Sequence, residues 1–291
     1  MNYRHAYHAG NHADVLKHAV LARALLHMGR KDKGYCVVDA HAGLGVYDLA
    51  GVEAGKTLEW RDGVGRLIDE VGRALALEDA AAEALLEPWR QAMAAVNCAS
   101  GRGAGLQRYP GSPEVAAQLA RAQDRMVFNE LHPADFETLA AQYARDRRVR
   151  VTREEAGVAV KANLPPQERR GVVLIDPPYE RADDAERALT MLRQGHKRFA
   201  TGCFMLWYPV TGDGLSDRLV AAAAEAGMAR MLVVEMLVRP VTINGGLAGS
   251  GLIIVNPPWP LADELPVLVP ALTERLKAGA PAWRVEWLTG E

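Results

Sequence analysis

The sequence predicts an α/β protein built on a mainly parallel, seven-stranded sheet, and three observations carry that reading. Seven short runs rich in β-branched and aliphatic residues alternate, along most of the chain, with stretches of helical spacing. Parallel strands joined by crossover helices produce that rhythm. Several runs end in an acid, as in "YCVVD", "RMVFNE" and "GVVLID". The last two, "MLVVEML" and "SGLIIVN", are separated by a loop alone, with no crossover helix, so they form an antiparallel pair.

The elements follow in order. Asn11 is placed to cap a helix running to about Met28, in which Val15, Ala19, Ala22 and Leu26 recur at steps of four, three and four. Tyr35 to Asp39 reads as a buried strand, followed by a turn at Gly43 and Gly45. From about Leu49 to Gly105 the chain is rich in Ala, Leu and Glu at helical spacing and ends in "SGRGAG", which predicts a helical insertion closed by a flexible stretch. "YPGSPEVAAQLARA" is a loop into a helix, with Ser112 at the N-cap and Pro113 in the first turn. A strand ending at Glu130, a helix, a strand ending near Glu155 and the strand "GVVLIDPPY" continue the pattern. Beyond them lie a helix around Ala185 to Leu192, the strand "CFMLWYP", a helix near Leu215 to Ala226 and the antiparallel pair. The expected organisation is an N-terminal arm, helix and first strand over residues 1–48, the insertion over 49–105, and the rest of the sheet domain over 106–291.

Composition narrows the function. With 291 residues and 49% hydrophobic content the chain can bury a substantial core. Its 34 Lys and Arg against 36 Asp and Glu give a net charge of −2, so any polyanion is held by local patches rather than by a global basic field. Two such patches are "RDRRVR", Arg145 to Arg150, and "HKR", His196 to Arg198. Cys36, Cys98 and Cys203 are scattered, with no C-x-x-C spacing, which argues against disulfides and zinc. The N-terminus is polar and His-rich, and no apolar run approaches a membrane span, so a cytoplasmic protein is expected. Of the histidines at 5, 8, 12 and 18 only His8 and His12 have the i, i+4 spacing of a helical metal pair, and they straddle Gly10 and Asn11 before the helix begins, so the four are read as ligand contacts, with no metal.

The chain contains one motif twice: Asp176-Pro-Pro-Tyr179 and Asn256-Pro-Pro-Trp259. In an open α/β sheet, ligands sit outside the carboxyl ends of the parallel strands. The strand before Asn256 runs against the others, so the second motif falls on the wrong edge and is read as a turn that ends strand pairing. Asp176, Asp39 and Glu130 then converge on one edge.

Asp-Pro-Pro-Tyr suits methyl transfer to a planar amine. The exocyclic nitrogen of adenine is a poor nucleophile because its lone pair is delocalised into the ring. Asp176 and the carbonyl of Pro177, which is followed by a residue with no N–H, can each accept one N–H, and Asp176 can receive the released proton. Tyr179 supplies a flat face for an extruded base. The turn after the first strand is not the dinucleotide fingerprint, since Asp48 stands where its third glycine would lie, which disfavours a nicotinamide oxidoreductase. A strand-end acid, an open backbone at Gly43 and a second acid, Glu130, able to accept from ribose hydroxyls, instead suggest S-adenosylmethionine.

Taken together, "YRHAYHAGNHADVLKH", "DAHAGLGVYDL", "YPGSP", "ELHP", "RRGVVLIDPPYE", "HKRFATG", "LWYPV" and "SGLIIVNPPW" resemble the bacterial 23S ribosomal RNA adenine-N6 methyltransferase J family over almost the whole chain. The resemblance implies a Rossmann-like class I methyltransferase fold, S-adenosylmethionine as cofactor and 23S ribosomal RNA as partner. It implies cofactor contacts at His18, His41, Ser112 and Glu130, the catalytic acceptor at Asp176 and an RNA contact at Tyr3. Where relatives have Asp-Gly after the third strand this chain has Glu155-Ala156; the longer acid can still reach the cofactor's adenine, whereas the lost glycine weakens the expected backbone contact. DNA adenine or a protein glutamine amide are alternative substrates, and a non-catalytic RNA-binding module is the alternative class. The sequence does not set the oligomeric state, and a monomer is the default expectation.

Overall fold

The computed structural model describes residues 4–69, 71–98 and 105–290. Asn11 opens the first helix, α1 (His12–Gly29), as expected: its side-chain oxygen accepts the backbone N–H groups of Ala13 and Asp14. β1 (Cys36–Asp39) follows. A two-stranded antiparallel ribbon, β2 (Val46–Asp48) with β3 (Arg108–Pro110), brackets α2 (Val52–Thr57) and α3 (Ala80–Cys98). Then come α4 (Ser112–Leu119), β4 (Arg125–Asn129), α5 (Pro133–Tyr143), β5 (Val149–Thr152), α6 (Ala156–Asn163) and β6 (Gly171–Ile175). α7 (Asp184–Arg198), β7 (Cys203–Val210), α8 (Leu215–Ala224), β8 (Met231–Leu237), β9 (Gly249–Val255), α9 (Leu261–Leu276) and β10 (Ala282–Thr289) complete the chain.

Among the described residues the main sheet has eight strands, in the order β10-β8-β9-β7-β6-β1-β4-β5, rather than the seven expected. The additional strand is β10, an edge strand pairing only with β8; its polar and apolar residues alternate only from Trp283 to Trp287, and it follows a helix, α9, that the sequence reading did not assign. β9 is antiparallel to both β7 and β8, as expected of the final pair. From β1 the chain moves outward to β4 and β5, then returns past β1 to β6 and β7. The crevice outside the carboxyl ends of β1 and β6 is therefore the point where strand order reverses, the usual ligand position in such sheets.

Period-two alternation divides the core between the two faces of the sheet. Val37, Phe128, Leu174, Met205 and Ile254 pack beneath α1, α3, α4 and α9, whereas Val38, Val127, Ile175, Phe204 and Val255 pack beneath α6, α7 and α8. Within the segment expected as an insertion, Val64, Leu67, Leu86, Trp89 and Met93 are buried in the first of these clusters. α1 is enclosed by α3, α4 and α9, and so buries polar residues on the face that its apolar stripe leaves out.

Three local expectations need correction. Ser112 does not cap α4: Gly111 does, and the Ser112 hydroxyl donates instead to Asp39. β5 ends at Thr152 rather than near Glu155, because Glu155 serves as the N-cap of α6 and accepts the Val158 N–H. Asn256-Pro-Pro-Trp259 ends β9 as expected, but the chain then continues through α9 and β10. The Gly-rich stretch after α3 lies outside the described residues as far as position 104.

Candidate active site

A cavity of about 910 Å³ opens at the carboxyl edge of the parallel strands. Its walls include His18 from α1, His41 and Gly43 from the turn after β1, Ser112 at the start of α4, and Glu130 after β4. Glu155 and Ala156 from the start of α6, and Asp176, Pro177 and Tyr179 after β6, also line it. All ten expected positions from His18 to Tyr179 are thus brought to one space; Tyr3 lies outside the described residues.

The turn after β1 is shaped by backbone that only glycine tolerates. Gly43 has φ +64°, and a Cβ there would meet the Tyr47 hydroxyl at 2.1 Å. Its N–H donates to Glu130 Oε2 at 2.9 Å, and Glu130 Oε1 accepts the His132 N–H at 2.7 Å. Burial raises the Glu130 pKa against these two donors. Asp39, buried behind the turn, accepts from Ser112 Oγ at 2.6 Å and from the His41 N–H at 3.1 Å; burial still pushes its pKa up to about 6. Asn129 ties the strand ends together, donating to the Ala40 and Glu154 carbonyls and accepting from the Glu154 N–H. An adenosyl cofactor fits this donor set: the left-handed Gly43 lets bare backbone line the cavity beside Tyr47, and Glu130 offers a carboxylate to paired hydroxyls. Glu155 sits at the rim, where its carboxylate accepts from Arg187 as well as from Val158 N–H.

The Asp176-Pro-Pro-Tyr179 motif is held by a chain of buried charges that sequence reasoning missed. Lys17, on α1, is 4% exposed and places Nζ 2.5 Å from Asp176 Oδ2 and 2.9 Å from Asp14 Oδ1. Asp14 Oδ2 in turn lies 2.8 Å from His5 Nε2 and accepts the Gly10 N–H. Burial would lower the Lys17 pKa, but the two carboxylates outweigh it and hold the ammonium charged, while Lys17 and His5 help to keep Asp14 well below the usual carboxylate range. The available signal was the Asp14–Lys17 spacing of three, which puts both side chains on one helix face; the 159 residues separating Lys17 from Asp176 hid the rest.

The Asp176 N–H donates to His41 Nδ1 at 3.2 Å, which requires a neutral imidazole with its proton on Nε2. Burial accordingly lowers the His41 pKa to about 4 and that of His18, whose Nδ1 lies 2.9 Å from Tyr109 Oη, to about 3. Tyr179 adopts a left-handed φ of +51°, donates its hydroxyl to the Trp207 carbonyl at 2.6 Å and packs edge-on against the Trp207 ring. Trp207 was a further residue missed, because it reads as one apolar position among many in β7.

The echo motif lies elsewhere. Asn256 donates to the Ala200 and Gly202 carbonyls, at the amino end of β7 and thus at the opposite edge of the sheet. Arg145 to Arg150 lead into β5 and His196 to Arg198 precede β7, so both basic clusters also sit at that opposite edge and are not the phosphate contacts beside the cavity. His5, His8 and His12 do line the cavity. No group of three or more His, Cys, Asp or Glu side chains is arranged to hold a metal among the described residues, and none of their helices is long and apolar enough to cross a membrane.

Residues 32–289 match the family model described as "Ribosomal RNA large subunit methyltransferase D, RlmJ". Over 292 aligned positions covering the whole of both proteins, the chain is 39% identical to the Ribosomal RNA large subunit methyltransferase J of Haemophilus influenzae. It is 37% identical, again over the whole of both, to that of Escherichia coli. The crystal structure of a Legionella pneumophila protein superposes with a TM-score of 0.82 at 29% identity, covering 96% of this chain and 98% of the other.

Proposed function

The chain belongs to the Ribosomal RNA large subunit methyltransferase D, RlmJ, family, and from that premise we propose that it transfers the methyl group of S-adenosylmethionine to N6 of an adenine in 23S ribosomal RNA, in the cytoplasm. One observation carries the reading. Asp176, in its Pro-Pro-aromatic setting, faces the same cavity as the glycine turn and Glu130, with one carboxylate oxygen held by a buried lysine.

S-adenosylmethionine supplies a methyl group made electrophilic by the adjoining sulfonium. The protein's own part is to hold and orient. Gly43, Ser112, Glu130, His18 and His41 form the cofactor side, with Glu155 and Ala156 at its rim. On the substrate side, Lys17 occupies Asp176 Oδ2, leaving Oδ1, which has no partner among the described residues, to accept one N–H of the target amine. The Pro177 carbonyl accepts the other, which turns the nitrogen lone pair out of the ring plane. As the N–C bond forms the amine becomes strongly acidic, so Asp176 can take its proton despite the adjacent ammonium. Tyr179, fixed through Trp207, presents a ring face to the base. Tyr3 is assigned to the RNA by the family resemblance.

The test is incorporation of labelled methyl into unmodified 23S RNA by wild type, Asp176→Ala and Asn256→Ala. Loss of N6-methyladenine in the Asp176 variant alone, with RNA affinity retained, supports the reading and excludes a non-catalytic RNA-binding module. Failure of the wild type on this RNA but activity on DNA adenine or a protein glutamine would transfer the chemistry to another substrate. A folded but inactive Asn256 variant would overturn the choice of motif.

A further inference from the structure

The loop between β8 and β9 is built as a rigid corner with an apolar tip at the mouth of the cavity. Because β8 runs parallel to β7, its carboxyl end lies on the active-site edge, and Val238, Arg239 and Leu247 from this loop are cavity wall. Trp207, Pro209 and Thr211, at alternate positions along β7 and its end, carry that wall from Tyr179 to the loop. Ile243 stands at the second position of a turn closed by the Gly245 N–H donating to the Thr242 carbonyl, and Asn244 takes the left-handed φ of +62° at the third. The Arg239 guanidinium bridges the Gly245 and Leu247 carbonyls at 2.8 and 3.0 Å, and the Ala248 N–H donates to the Val210 carbonyl. Gly212 meets the loop so closely that a Cβ there would lie 2.2 Å from the Thr242 carbonyl oxygen. Yet this fixed corner leaves Ile243 84% and Val241 43% exposed, beside the exposed cation of Arg239. Across the same lobe, the His12 Nε2 atom is buried without a hydrogen-bond partner among the described residues.

An exposed β-branched side chain on a rigid turn, next to a cation and a pocket for an extruded base, matches the chemistry of an intercalating wedge. We propose that Ile243 enters the stack that the target adenine leaves, replacing its lost contacts, while Arg239 meets the adjoining phosphate and the lobe lined by His12 receives a flanking nucleotide. The occupant is structured RNA next to the methylated base, so the proposal rests on the rRNA methyltransferase reading. The exposed tryptophans lie elsewhere: Trp259 follows Asn256 on the opposite edge, and Trp283 and Trp287 lie on the edge strand β10, while Leu131, exposed at the cavity wall, directly follows Glu130 on the cofactor side.

The experiment compares wild type, Ile243→Asp and Ile243→Leu on two short transcripts carrying the adenine that the wild type methylates in 23S RNA. In one transcript the neighbouring base is intact; in the other that neighbour is abasic, so no stack has to be opened. Wild type should methylate both. Ile243→Asp should lose about 10- to 100-fold in kcat/KM on the intact transcript, the range set by the stacking energy of one base, and less than about threefold on the abasic one. Ile243→Leu should retain activity on both, and cofactor affinity and Tm should be unchanged because the side chain is outside the core. An equal loss on both transcripts, or none on the intact one, overturns the wedge. Absence of wild-type methylation anywhere in 23S RNA overturns the underlying function instead.

Discussion

Replacing Lys17 by Met tests the ion pair that holds Asp176 in the proposed catalytic geometry. The substitution keeps most of the aliphatic stem and removes a charge that is 4% exposed between Asp14 and Asp176. Breaking a buried pair by deleting one partner costs about 3–5 kcal/mol, because the remaining charge is left without compensation. Here Asp14 keeps His5 and the Gly10 N–H, and Asp176 borders a cavity large enough for water. The lower end of the range, about 3 kcal/mol, is therefore expected. For 291 residues the unfolding entropy is about 0.6 kcal/mol/K, so Tm should fall by about 5 °C. Single-turnover methyl transfer should fall by about 100-fold or more, since Asp176 loses the group that fixes its second oxygen. Calorimetry and a rapid-quench assay at saturating cofactor read the two effects separately. A Tm within about 1 °C of wild type would refute the buried pair. A normal transfer rate in a destabilised protein would refute its catalytic role and leave Lys17 as a structural residue.

Other outcomes follow from the same geometry. Gly43→Ala should destabilise the chain by about 1–2 kcal/mol through its left-handed φ alone and weaken cofactor binding. Adding Tyr47→Phe should recover part of the loss, because the hydroxyl that the new Cβ would meet is gone; equal cofactor affinity for both variants by calorimetric titration would contradict the cradle. His18 and His41 have folded pKa values of about 3 and about 4, below the unfolded value of about 6.5. The stability they contribute is complete above pH 6.5 and is lost as pH falls toward the folded values, so His18→Gln or His41→Asn should each flatten the stability slope between pH 6 and 5 by about 1.2 kcal/mol per pH unit. Asp39 acts with the opposite sign: its folded pKa of about 6 lies above the ordinary carboxylate value, so its ionisation costs stability as pH rises from about 4 to 6. Asp39→Asn should therefore steepen the same slope; denaturant melts across that range check all three, and unchanged slopes would refute the buried titrations.

Much of the architecture could be read from local pattern. Strand-length apolar runs, the Asn11 cap and the crossover-free final pair imposed a mostly parallel sheet with one strand reversed, and that reversal alone separated Asp176 from Asn256. Those features are legible because they depend on residues within a few positions of each other: a cap on two N–H groups, a strand on period-two burial, a connection on its length. β10 and α9 escaped because an edge strand alternates too weakly, and a helix carrying Pro266 and Pro270 too irregularly, to stand out. The site divided along the same line. Positions at strand ends and in the glycine turn were found because topology alone brings them to one edge. Lys17 with Asp176, Ser112 with Asp39, Trp207 behind Tyr179 and the corner that lifts Ile243 were decided only by tertiary packing. Each joins groups whose side-chain directions are set by how α1, α4, β7 and the β8–β9 loop seat on the sheet, and a charge buried among them must find its partner in space rather than along the chain.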